Sequence, residues 1–117
     1  MKTFICVCFA FIFTFCAYAQ NLSEGQKIDK LIAHISNIQG AKFIRNGDEH
    51  DAKKAADHLQ MKRKNAGNRI KTARDFIDKI ATKSSMSGDY YMIIFPNGSK
   101  KRACDVLNEE LKRLENR

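Results

Sequence analysis

Residues 90–102, Tyr-Tyr-Met-Ile-Ile-Phe-Pro-Asn-Gly-Ser-Lys-Lys-Arg, decide the fold class. Tyr90 to Phe95 is aromatic and β-branched at strand length, Pro96-Asn97-Gly98 is a turn, and Ser99 to Arg102 is long enough for a short return strand. This segment predicts a β-hairpin, while the periodic segments on both sides of it are helical.

Downstream, a helix is expected over about Ala103 to Asn116, with Leu107, Leu111 and Leu114 on one face. Cys104 falls about 60° from Leu107 on the helical wheel, which predicts a small buried side chain and not a reactive thiol. Upstream, Thr72 can cap a helix with Asp75 at its third position. Ala73, Phe76, Ile77, Ile80 and Ala81 form its apolar face, and it frays into Ser84-Ser85-Met86-Ser87-Gly88. Before it, Ala52 to Ala66 reads as a helix stopped by Gly67-Asn68, with Asp48, Glu49 and Asp51 gathered where carboxylates favour the positive end of the dipole. Lys42 to Arg45 is short and β-prone and ends in the turn pair Asn46-Gly47. The first helix opens on a capping box, Ser23 with Gln26, carries Ile28, Leu31, Ile32 and Ile35 at helical spacing, and closes at Gly40. The sum is an α+β fold, with four helices packed around a small antiparallel sheet in one domain over residues 20–117.

Residues 1–19 read as a secretory signal peptide. Lys2 is the positive start, Phe4 to Cys16 an apolar run, and Ala17-Tyr18-Ala19 a cleavage site. The run falls short of the roughly 20 residues that span a bilayer, so cleavage before Gln20 is expected rather than a retained transmembrane anchor. Cys6, Cys8 and Cys16 would leave with it. Cys104 then remains alone, with no intramolecular disulfide. A periplasmic or secreted location follows.

The chain has 21 Lys and Arg against 13 Asp and Glu, a net charge of +8. Eight bases crowd into 62–83 (Lys62, Arg63, Lys64, Arg69, Lys71, Arg74, Lys79, Lys83) against Asp75 and Asp78. Outside the cytoplasm the matching partners are anionic lipid headgroups, lipopolysaccharide, wall polymers or another envelope protein, and nucleic acid is not expected. The plainer reading is a solvated basic face.

Three groups of residues invite a functional reading. Arg45 and Asn46, with His50 close by, can form a ligand-binding turn in which Arg45 and the amides of the following helix grip an anion. The competing structural reading is a strand-to-helix corner with Asn46-Gly47 at positive φ and Arg45 paired to Glu49. His58 and Lys62 sit in or beside the alanine-rich stripe of the second helix. Lys62 either snorkels to water or, buried with His58, floors a small polar pocket. Ser84 and Ser85 beside Gly88 suggest a nucleophile with His50 or His58 as base. No Gly-x-Ser-x-Gly elbow accompanies them, and Ser84 is expected to point inward and bond backbone. The three histidines and Cys104 lack metal-ligand spacing, so neither metal nor cofactor is expected, and no catalytic residue is assigned.

Phe43-Ile44-Arg45-Asn46-Gly47-Asp48-Glu49-His50 resembles the YfeK-like family, together with Ala55, His58-Leu59, Lys62, Arg69-Ile70, Thr72-Ala73, Phe76-Ile77 and Ser84 to Gly88. The likeness covers roughly residues 26–95. It implies a small exported bacterial envelope protein with one domain of unknown function, and it brings no activity or ligand. The reading that results is a non-enzymatic binding protein of the envelope. The alternative is a small hydrolase or ligand-binding protein using Arg45, His50, His58, Lys62 and Ser84.

Overall fold

The computed structural model describes residues 21–116. The signal-peptide reading of residues 1–19 and the start at Gln20 lie outside them. Four helices, α1 (Glu24–Ser36), α2 (Ala52–Ala66), α3 (Ala73–Asp75) and α4 (Ala103–Glu115), pack with four strands, β1 (Lys42–Arg45), β2 (Asp48–His50), β3 (Met92–Ile94) and β4 (Lys100–Arg102). The sheet has the order β2-β1-β3-β4, and every neighbouring pair is antiparallel. This is the α+β domain expected. Among the described residues no helix is long and apolar enough to cross a membrane.

The hairpin at 90–102 forms with its strand shortened. Tyr90 leaves the ladder to bridge Lys83, and Tyr91 is held by backbone bonds from its amide to Thr82 and from Ala103 to its carbonyl. The Tyr90 ring carries the Lys83 ammonium 4.8 Å and the Arg102 guanidinium 4.2 Å from its centroid. Those cations hold the loop after α3 against β4.

A correction concerns residues 48–50. Asp48, Glu49 and His50 do not start the second helix but form the edge strand β2, with Phe43 opposite His50 and Arg45 opposite Asp48. The reason lies in the turn, where Asn46 (φ 54°) and Gly47 (φ 83°) both take the left-handed backbone that closes a two-residue hairpin. A charged edge strand also resists pairing with other chains. The helix begins later, capped by Asp51, whose carboxylate accepts the Lys54 amide at 2.8 Å.

The first helix keeps its expected capping box, Ser23 with Gln26. Thr72 and Asp75 form a second one, and the Ala73 amide donates across the fold to Glu24 Oε1 at 2.9 Å. After one α-turn the chain widens into a π-helix, Phe76–Ile80, that buries Phe76, Ile77 and Ile80 together with Ala73 and Ala81. These pack with Leu31 and Ile35 of α1 and Leu107 and Leu111 of α4 in the driest part of the core. Burying each such side chain contributes about 1.5–3 kcal/mol. Glu110 is buried among them, yet Arg113 donates two bonds to it at 2.9 and 2.6 Å. Cys104 is half-buried against this core. At the corner where α1 starts, Lys27 pairs with both Glu24 (2.8 Å) and Glu115 (3.0 Å).

Candidate functional site

The inward stripe of α2 is built largely from alanine. Ala56 and Leu59 are buried, and Ala52, Ala55 and Ala66 pack at the core's margin. Methyl groups do not fill the distance between a helix axis and a sheet, and a cavity of about 340 Å³ opens between α2 and the inner sheet face. Its walls include Ile35 from α1, Leu59 and His58 from α2, and Arg45, His50 and Tyr91 from the sheet side. Strand pairing puts Phe43, His50 and Ile93 on one face, and Arg45, two residues beyond Phe43, joins them.

The polar groups here are unequally satisfied. Tyr91 is 8% exposed, and Lys62 Nζ donates to its hydroxyl at 2.9 Å and to the Ile80 carbonyl at 2.9 Å. A lysine has no lone pair to offer, so the Tyr91 oxygen accepts from it, and the tyrosine proton is left to the long 3.4 Å contact with His58 Nε2. Lys62 thus neither snorkels nor meets a carboxylate: it caps the end of the π-helix, where carbonyls lack partners. Burial, then the positive charges of Arg45 and Lys62 and the neighbouring His50, hold His58 below the usual imidazole range. That environment favours the uncharged ring. His50 Nε2 is buried with no hydrogen-bond partner among the described residues. An unsatisfied polar atom of this kind costs on the order of 1–3 kcal/mol.

The candidate residues therefore separate. Arg45, His50 and His58 line one cavity, and Lys62 touches it through Tyr91. Ser85 lies elsewhere, in a second depression with Lys62, Arg69 and Lys79. Ser84 is buried and its Oγ accepts the amides of Met86 (3.2 Å) and Ser87 (3.4 Å), which commits it to its own loop as expected. Asn46 Oδ1 accepts the Ser87 hydroxyl at 2.6 Å and pins that loop to the β1–β2 turn. Between Arg45 and the start of α2 the chain runs through β2, and the Asp51 carboxylate fills the helix cap at which the anion was expected. Arg45 does not pair with Glu49, whose ion-pair partner is Lys42 at 3.5 Å.

Tyr91 went unnoticed in the sequence. Its signal was parity: it shares a face with Ile93, and a tyrosine on an inner face needs a polar partner for its hydroxyl. Among the described residues no three His, Cys, Asp or Glu side chains gather as a metal site. Burial, with Asp105 beside it, pushes the Cys104 thiol up and away from reactivity. The basic segment is also dispersed. Arg63 binds Asp29, Arg74 binds Asn108, Lys79 lies 3.8 Å from Asp75, and Lys83 rests on Tyr90.

The sequence model of a family of unknown function, DUF5329, matches residues 22–115. The uncharacterised protein YfeK of Salmonella typhimurium is 38% identical over 92 residues, which cover 78% of this chain and 77% of that protein. No solved structure matches. The match runs past β4 and through α4, so the whole described domain is shared, and the chain belongs to the DUF5329 family.

Proposed function

We propose that this is an exported, non-enzymatic binding protein of the bacterial envelope that takes a small, largely apolar molecule into the cavity between α2 and the sheet. The observation that carries this reading is the cavity itself, about 340 Å³ with Ile35, Phe43, Leu59 and Ala103 among its walls and few polar groups converging on it. Ligand sites have this size and character. Export rests on the leader-like residues 1–19. Against hydrolysis stands the placement of Ser84, which is outside the cavity and bonded to its own loop. Against a broad basic binding face stands the engagement of Lys62, Arg63, Arg74, Lys79 and Lys83 by groups within the fold.

The test is a titration of isotope-labelled protein with 1-naphthol, a neutral bicyclic alcohol. Saturable NMR shifts centred on Ala55, Leu59 and Tyr91, and lost in Ala55→Leu, are expected. Saturation without those shifts, or no response, overturns the reading. Export is tested separately by N-terminal sequencing of the protein from its native cell, with Gln20 expected as the first residue.

A further inference from the structure

We infer that the cavity selects an amphiphile with one anionic head, a medium-chain carboxylate in chemical class, whose tail lies on the apolar wall and whose head meets Arg45 and His50. This deepens the binding reading above and rests on it.

The charges around the cavity are unbalanced. Arg45 and Lys54 line it, and neither has an ion pair or hydrogen bond to its side chain among the described residues, even though Asp48 is the ladder partner of Arg45. Asp57 also lines it, but its carboxylate is engaged by Lys53 at 3.3 Å. Lys62 adds a further positive charge behind Tyr91. Half-buried Arg45 lies on the same sheet face as His50, whose orphaned Nε2 is sealed behind the cavity wall and comes within reach of a carboxyl oxygen, as an N–H donor, when the ring turns. A guanidinium without a partner at the edge of an apolar wall binds a carboxylate in bidentate fashion. His58 and the Tyr91 hydroxyl complete the polar side.

Size narrows the class. At ~30 Å³ per heavy atom, the share of a molecule in liquid water, 340 Å³ holds about ten such atoms. Octanoate has that number. A whole phospholipid exceeds that volume, which favours the free acid over a membrane surface as the occupant.

The experiment compares octanoate with 1-octanol by calorimetry at pH 7, using the intact protein. Octanoate should bind at least about tenfold more tightly than octanol, as a charge-assisted hydrogen bond predicts. In Arg45→Gln that ratio should fall towards one, and added salt should erode the ratio in the wild type. The ratio is taken within each protein, so altered stability does not mimic the result. If octanol equals octanoate, the inference fails while the cavity reading stands. If neither binds while 1-naphthol does, the inference alone fails; if none of the three binds, both fail. If inorganic phosphate competes as well as octanoate, the tail contributes nothing and the amphiphile is ruled out. His50→Phe keeps the ring volume, and equal octanoate affinity in that variant would remove His50 from the head site.

Discussion

The two halves of this small interior are built from the same helical pattern and end up in opposite states. Between α1, α4 and the π-helix, Leu31, Ile35, Phe76, Ile77, Leu107 and Leu111 are all but sealed from solvent, and the one buried carboxylate there, Glu110, has Arg113 on it. Between α2 and the sheet the inward positions carry alanine, a cavity remains, and a buried histidine nitrogen lacks a partner. Amphipathic spacing sets which side of a helix faces inward, but side-chain volume decides whether that side closes. A helix that faces a sheet with methyl groups leaves space, and polar groups then gather on its walls.

The contrast is broken most directly by deletion on each side. Leu107→Ala should cost about 4 kcal/mol and Leu59→Ala about 2 kcal/mol, because a void beside existing open space forfeits fewer contacts. Urea unfolding of both variants measures this, and equal losses would mean that the two halves are packed alike. Next in size is Lys62→Met, which strips the donor from both the Ile80 carbonyl and the Tyr91 hydroxyl. A loss of about 1.5–2 kcal/mol is expected, and a value near zero would show that water replaces the ammonium. Ala55→Leu reverses the sign by filling the groove, and a gain of about 0.5–1 kcal/mol in unfolding free energy should accompany loss of ligand binding.

The smallest effect is a pH dependence. His58 is held below its ordinary value of about 6.5 in the folded state. The unfolded chain therefore binds the proton first on acidification. The contribution is intact above that value and is lost as pH falls toward the folded-state pKa. Unfolding measured at pH 7.5 and 5.5 should show a larger drop in the wild type than in His58→Gln. A larger drop in the variant would put a charged His58 in the groove.

Most elements were legible because their signals are local. The capping pairs Ser23–Gln26 and Thr72–Asp75 need no tertiary context, and neither does the Pro96-Asn97-Gly98 turn. Asp48-Glu49-His50 misled because carboxylates before a helix look like dipole partners, whereas Asn46-Gly47 had already dictated a hairpin. The π-helix left no mark in the spacing, since the same five apolar residues stay buried either way. At the site, Arg45, His50 and His58 do meet, but the pairing of a hydroxyl with a histidine base groups Ser84 and Ser85 with them on chemistry alone, and the fold sends each elsewhere. For Lys62 the sequence offers a choice between snorkelling to water and flooring a polar pocket with His58. Its true partners, a carbonyl 18 residues on and a hydroxyl 29 residues on, are fixed by long-range packing.

The double ion pair of Lys27 has a topological consequence. By holding Glu24 and Glu115 together it brings the opening turn of α1 beside the closing turn of α4, so the domain is nearly a closed loop of polypeptide. A few flexible residues joining Asn116 to Asn21 would complete the circle, and the exposed Asn97-Gly98 bend offers a place to reopen it. Such a permutant leaves the pairing of β1 with both β2 and β3 uncut, and in the unpermuted chain cargo fused at the two ends of the domain emerges from one pole of the molecule.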